Sequence, residues 1–405
     1  MSAAPRICCL DLDTFFVSVE RIFDPSLEGR AVVVGGHKGG GGVVTSASYE
    51  ARVFGVRSGM SIREASRLAP RAVFVPGRHD AYGEYSANAR AIVERYSPVV
   101  RAASIDEHYI DFHGCERLYH REGDADADAT IRRVVCEITS AIGSELGLPS
   151  SAGIATSKSM AKVASGLAKP RGVVLVRAGT EAATLAPLPV RKLPGIGPVA
   201  EQKLIEQGID TLGELVATSD ERLRPIFGRS TAAIRAAASG VGAAELGRER
   251  PAFREHDLAG ERVGSISNER TFVERSRADS DKILAALCER VAWRARKRGM
   301  KARTIALKLR YADFETISRS RSVSATHDEV AVQEVVFDLY RAARQRSLGI
   351  RLLGVALSRF EIESLQLGLF DRSTRRSVAV DQLREKYGFD AVHLASSGAS
   401  GSVRR

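Results

Sequence analysis

No run in this 405-residue chain approaches the roughly 20 consecutive apolar residues that a membrane-spanning helix requires. The opening stretch MSAAPRICCLDLDTFF also lacks a long apolar segment followed by a cleavage site. Together these absences predict a cytoplasmic protein with no membrane partner. Cysteine is scarce: Cys8, Cys9, Cys115, Cys136 and Cys288 form neither a disulfide framework nor the paired spacing of a metal site, which fits a reducing compartment. The glycine-rich GGHKGGGG between Val34 and Val43 lacks the Gly-Lys-Ser/Thr ending of a nucleotide P-loop, so it reads as a connection between strands. Acidic residues are outnumbered, 49 against 60 basic ones, and the net charge of +11 draws polyanions before any specific contact forms. Nucleic acid is therefore the leading partner class.

The length suggests roughly two to four domains of about 100–200 residues. Short apolar runs at Ile7 to Leu10 and Ala31 to Val34 read as buried strands. Helical spacing follows at Ile62 to Leu68, Asp80 to Tyr96 and Ala129 to Leu146. The stretch SSAGIATSKSMAKVASGLAKPRGVVLV reads as strand, helix, proline stop and strand, making the first half mixed α/β. From about Ala178 the chain becomes small and helical. There LPGIGPVAEQKL sets a tight turn, Gly195, Ile196 and Gly197, between two short helices, where backbone amides can face a DNA phosphate. A polar connection, GRERPAFREHD, precedes a second body that reads βαββαβ. This body carries Arg294, Arg296, Lys297, Arg298, Lys301, Arg303, Lys308 and Arg310, with Arg319 and Arg321 on the next strand. Beside a phosphate-binding hairpin, that run points to a DNA groove, although such a run is often only a solvated face.

SIDEHYIDF, Ser104 to Phe112, places Asp106 and Glu107 side by side in a strand-like stretch. Adjacent acids repel, so burying them uncompensated raises their pKa values. A divalent cation removes the conflict, and CCLDLDTFF offers Asp11, with Asp13 nearby, on a second strand. Three carboxylates on neighbouring strands suit Mg²⁺, and two ions about 3.5–4 Å apart serve phosphoryl or nucleotidyl transfer.

The stretches DLDTFFVSVE, VVTSASYEARVFGVRSGM, SIDEHYIDF, GIATSKSMAKVASGLAKPRG and LPGIGPVAEQKL, in that order, resemble the Y-family translesion DNA polymerases, in the DinB branch, over Ile7 to Glu361. The resemblance implies an α+β multidomain right hand. Its parts are a palm at 1–20 and 85–177, fingers at 21–84, a helix-hairpin-helix thumb at 178–246, a linker at 247–260, a βαββαβ little finger at 261–362 and a tail at 363–405. It further implies that Asp11, Asp106, Glu107 and the Leu12 carbonyl hold two Mg²⁺ ions. Ser46, Tyr49, Arg52 and Lys169 match positions that contact the triphosphate, and Phe15 and Phe16 flank the nucleotide. Phe16 matches the ring that excludes a ribose hydroxyl; by strand alternation the two rings point opposite ways. Asp13 is expected to hold the site rather than ligate. His108 departs from the family's small residue after the acid pair and reads as a packed side chain, the alternative being a hydrogen bond to an acid.

Template-directed DNA synthesis from a primed template and dNTPs is the implied activity, distributive and without proofreading, since these bodies leave no room for an exonuclease. Contacts with DNA are expected at Gly195, Ile196 and Gly197 and at Arg294, Lys297, Arg298, Lys301 and Arg303. QLGLF, with Gln366, Leu367, Leu369 and Phe370, resembles the peptide by which bacterial polymerases bind the sliding clamp, and the DRSTRRS after it reads as mobile. A monomer is expected. Two other classes stay open: a non-catalytic scaffold with the same fold that binds DNA and clamp, and a helix-hairpin-helix nuclease or repair-binding protein.

Overall fold

The computed structural model describes residues 5–242, 246, 264–272, 280–362 and 372–393. The chain divides into two compact units, Met1–Arg254 and Glu255–Arg405.

The first unit is built on a five-stranded sheet. Its strands are β1 (Ile7–Leu12), β5 (Val100–Ala102), β6 (Glu107–Asp111), β7 (Ser150–Ala155) and β8 (Val173–Leu175), in the order β5-β6-β1-β7-β8. All pairs are antiparallel except β7 with β8. Because the side-chain period of a strand is two, β1 divides its residues between two cores. Cys8, Leu10 and Leu12 join the core that includes Ile92 from the helix His79–Glu94 and Ile131, Val135 and Ile138 from the helix Ala127–Leu146. Ile7 and Cys9 face Met160, Ala161 and Ala164 of the helix Lys158–Ala168. That second core continues into the small helical region through Leu193, Ile196, Leu204 and Leu212.

Between β1 and β5 the chain makes a separate three-stranded sheet, β3 (Ser46–Ala47), β2 (Val32–Val34) and β4 (Val73–Val75), with its own core of Val33, Ala47, Ile62 and Ala65. The glycine-rich stretch connects β2 to β3, as read from the sequence. Phe15 and Phe16 differ from expectation. They open the helix Phe15–Phe23 rather than extending β1, because Thr14 takes a left-handed φ of 45° and turns the chain. Ser18 closes the turn by donating from its hydroxyl to the Asp13 carbonyl at 2.7 Å.

The second unit orders β9 (Ser265–Thr271), β10 (Met300–Tyr311), β11 (Thr316–Thr326) and β12 (Ile350–Ile362) as β11-β10-β12-β9, all antiparallel. The helices Ser280–Arg296 and Glu329–Ala343 cover one face, burying Leu284, Leu287, Val291, Val332 and Val336 against Ile305, Leu307, Leu309 and Val355. The stretch read as mobile, DRSTRRS, departs from that reading: from Arg372 the chain forms a helix, Arg372–Tyr387. Arg384 on that helix is fully buried and donates to Glu289 at 2.5 Å, while Arg296 bridges Asp381 and Glu329 at 2.7 and 2.8 Å. Among the described residues, no helix is long and apolar enough to cross a membrane.

Candidate active site

The antiparallel register sets Asp11 opposite Glu107, and strand alternation turns both toward the face covered by the helix Lys158–Ala168. Asp106, just before β6, is drawn to the same end, where its carbonyl accepts from the Leu12 amide at 2.9 Å. Asp11, Leu12, Asp106 and Glu107 are therefore neighbours, as the sequence implied. Their side chains have separate partners. Lys169 donates to Asp11 Oδ1, Lys162 donates to Glu107 Oε2, and Ser104 donates to Asp106 at 2.5 Å. Among the described residues, no group of three or more His, Cys, Asp or Glu side chains is gathered tightly enough to hold a metal ion.

Burial pushes the Asp11 carboxyl up to about 6; Lys169 pulls it back and the charges of Asp106 and Glu107 add to the rise. Glu107 is 7% exposed, and its second oxygen, Oε1, is buried without a hydrogen-bond partner. An anionic oxygen in that condition is costly unless a cation meets it. Hard carboxylate oxygens on adjacent strands, one of them unpartnered, suit Mg²⁺.

Asp13 holds this end of the sheet together. It is 1% exposed, and it accepts from Ser151 Oγ and the Arg171 amide at 2.8 Å each and from the Tyr49 hydroxyl at 3.3 Å. Tyr49 opens the helix Tyr49–Val53, capped by the Ser48 side chain, and burial with the Asp13 charge pushes its hydroxyl up to about 12. Arg52 follows on the same helix with its guanidinium 5.2 Å from the centre of the Tyr49 ring and its Nε donating to the Ala47 carbonyl at 3.0 Å. Ser46 is buried on β3. The structure thus joins Tyr49 to β1 through Asp13, and Lys169 to β1 through Asp11.

Phe15 is buried, whereas Phe16 is only partly covered and stacks on Tyr82 with ring centres 4.2 Å apart and planes 12° apart. Tyr82 donates to the buried Glu20 at 2.5 Å. The sequence reading missed this support, since Tyr82 lies in the polar stretch HDAYGEY and gives no local sign of burial. It also missed Lys162. Of the two readings of His108, the packed one holds. The residue is 1% exposed on the face opposite Glu107, Nδ1 has no partner, and burial followed by the nearby Arg90 charge lowers its pKa to about 4.

In the helical region, Gly195 has a φ of 101°, which favours glycine. Ile196 is buried, and Gly197 precedes the helix Pro198–Ile205, so this turn offers backbone rather than side chains. The element before the turn is the 3₁₀ turn Val190–Lys192, not the helix expected.

The basic residues of the second unit do not form one face. Arg294, Lys297 and Arg298 lie at the end of a covering helix, and Arg296 is buried in its ion pairs. Lys308 and Arg310 alternate with core residues and occupy the sheet face away from the helices, while Arg319 pairs in register with Leu307 and Arg321 with Ile305, on the helix side. Arg321 also pairs with Asp338 at 3.0 Å. Lys301 is the second residue of β10, and Arg303 sits at its register shift, paired with Glu361 at 2.5 Å. A bulge and a register, invisible in sequence, split the run. Gln366, Leu367, Leu369 and Phe370, and the 247–260 linker, lie outside the described residues.

The impB/mucB/samB family matches residues 10–166, its C-terminal domain matches 263–369, and the IMS family HHH motif matches 179–209. A DNA polymerase IV of Dehalococcoides mccartyi (strain CBDB1) is 36% identical over 394 residues, covering 96% of each chain. A DNA polymerase IV of Streptomyces coelicolor is 38% identical over 364 residues, covering 88% of this chain and 71% of the relative. Among solved structures, a Y-family DNA polymerase chimera, Dbh-Dpo4(243-245)-Dbh, superposes with a TM-score of 0.72 at 22% identity, over 88% of this chain and all of that one. DinB from Sulfolobus solfataricus superposes with a TM-score of 0.58 at 23% identity, over 89% and 100%. At those identities the structural likeness speaks for the fold.

Proposed function

Because this chain belongs to the impB/mucB/samB family as a DinB-type Y-family DNA polymerase, a DNA-directed DNA polymerase, we propose that Asp11, Asp106, Glu107 and the Leu12 carbonyl are its metal-binding centre. The observation that carries this reading is the pairing of Asp11 with Glu107 across β1 and β6, with Glu107 Oε1 buried and unpartnered. Two Mg²⁺ ions held there would lower the pKa of the primer 3′-hydroxyl and stabilise the leaving pyrophosphate. The remaining work falls to the chain's own residues. Asp11 and Glu107 supply anionic oxygens from two strands whose ladder fixes their separation. Lys169 and Arg52 balance triphosphate charge, with Ser46 and Tyr49 as hydroxyl donors. Asp13 keeps the Tyr49 side tied to the catalytic strand. Phe16, backed by Tyr82, fills the space a ribose hydroxyl would need.

In this reading the five-stranded sheet belongs to the palm, the three-stranded sheet to the fingers, the small helical region to the thumb and the β9–β12 unit to the little finger. The Gly195–Gly197 turn contacts a DNA phosphate through its amides, and Lys301 with the end of the Ser280–Arg296 helix adds charge. Distributive synthesis past damaged template bases in DNA repair, by a cytoplasmic monomer, is the role that best fits. Gln366 to Phe370 would dock on the sliding clamp; deleting 366–370 should abolish any stimulation of synthesis by clamp.

Primer extension with Mg²⁺ and dNTPs tests the whole reading, comparing wild type with Asp106→Ala/Glu107→Ala where both bind primed DNA. Extension by the wild type alone supports it. Binding without extension by either favours the scaffold alternative. In the same assay Phe16→Ala should accept ribonucleotides; unchanged sugar discrimination would remove Phe16 from the gate.

A further inference from the structure

Lys162 has no part in the polymerase chemistry proposed above, yet it holds one of the proposed catalytic acids. We propose that Lys162 is a resident counter-ion of Glu107, a positioning residue against whose charge an entering divalent cation must bind. The inference rests on the proposed metal-binding role of Glu107.

The helix that carries Lys162 is set against the sheet with little freedom. A Cβ at Gly153 on β7 would lie 2.1 Å from the Ser165 amide nitrogen and 2.3 Å from the Ala161 carbonyl, so helix and strand touch backbone to backbone. At 3.6 residues per turn, the seven residues from Lys162 to Lys169 are about two turns, which brings the second lysine to the same side just past the helix end. Each lysine takes one acid: Lys162 takes Glu107 and Lys169 takes Asp11.

The Lys162 pairing is lopsided. It engages Oε2 alone, leaving Oε1 buried without a partner. The Glu107 side chain is 10% exposed, whereas the Lys162 side chain is 45% exposed. Glu107 is thus fixed, and the ammonium has open solvent into which it can withdraw. Lysine suits such a part, being a compact charge on a flexible stem. While it stays, it keeps Glu107 turned toward the site and cancels part of the acid's charge. That cancellation weakens the pull of the acid cluster on a second cation, and the effect is softened by the exposure of the lysine.

The test is Mn²⁺ binding to the full chain without DNA, followed by the loss of free-ion signal in electron paramagnetic resonance. Wild type, Lys162→Met, Lys162→Arg, Glu107→Gln and the double variant Lys162→Met/Glu107→Gln are compared, with circular dichroism to establish that each is folded. Methionine keeps most of the stem and removes the charge. Lys162→Met should bind Mn²⁺ roughly threefold to tenfold more tightly than wild type, Lys162→Arg should match wild type, and the double variant should lose the gain. A lysine that merely packs would alter thermal stability and leave Mn²⁺ affinity alone. Equal or weaker binding by a folded Lys162→Met overturns the proposal. If Glu107→Gln and wild type bind alike, the metal reading of Glu107 itself has failed, which separates the two failures.

Discussion

His108 makes a prediction whose size follows from its surroundings. The imidazole sits between Leu10 and Ala102 in the β1-β6-β5 ladder, 1% exposed, with Nδ1 unpartnered. Burial and then the Arg90 charge lower its pKa to about 4, against the attraction of Asp106, Glu94 and Glu107. In the unfolded chain the ring has its ordinary value near 6.5. Between those limits the unfolded chain carries the proton and the folded chain does not, so stability falls as pH drops. From pH 7.5 to pH 5 this one group should cost the fold about 2 kcal/mol. His108→Leu keeps a buried side chain and removes both the proton and the orphaned nitrogen. It should be about as stable as wild type at pH 7.5 and lack that increment of acid sensitivity. Since Asp11 titrates in both proteins, its opposite slope cancels to first order in the comparison. The single tryptophan, Trp293, lies in the other unit, so the assay should be urea unfolding followed by hydrogen exchange of the peptide containing β6. Equal pH slopes for the two proteins would refute the reasoning.

Two further substitutions test the supports of the site and of the tail. Gly153→Ala would drive a methyl into the backbone of the Lys158–Ala168 helix, so thermal stability should fall by an amount equivalent to about 1–3 kcal/mol, with primer extension falling alongside as Lys162 and Lys169 shift. Arg384→Met takes the guanidinium away from the buried Glu289; it should destabilise the second unit by about 3 kcal/mol or more, seen in urea unfolding by fluorescence of Trp293, whose ring centre is 5.2 Å from that of Phe389. Arg384→Met/Glu289→Met should recover most of the loss, and a single variant as stable as wild type would show that the tail helix is not held by this pair.

That Asp106 and Glu107 lie beside Asp11 was legible because the chemistry is local: two adjacent carboxylates in an apolar alternation pose a charge problem that any reader of the chain meets. Asp11 was legible for the same reason, ending an apolar run. Lys162 was not, since a lysine in SMAKVASG reads as a solvated helix position, and its acid partner Glu107 lies 55 residues away in sequence, brought within reach by the close packing of that helix on β7 at Gly153. Phe15 and Phe16 read as strand because FFVSVE satisfies both periods; the turn at Thr14 decides between them, and a threonine at φ 45° is not a residue that composition announces. The basic run failed as a single surface because side-chain direction on β10 and β11 depends on register, and a shift between Ala302 and Thr304 sends neighbours to different faces. Arg384 carries the same lesson furthest. In LREKY it looks like one charge among several, but its partners Glu289 and Glu329 come from two other helices, 95 and 55 residues away, and all three are at most 1% exposed. Charges that sequence places on solvated faces therefore become the fastening of the tail once tertiary structure supplies their opposites, which is why the tail had to be folded before it could be read.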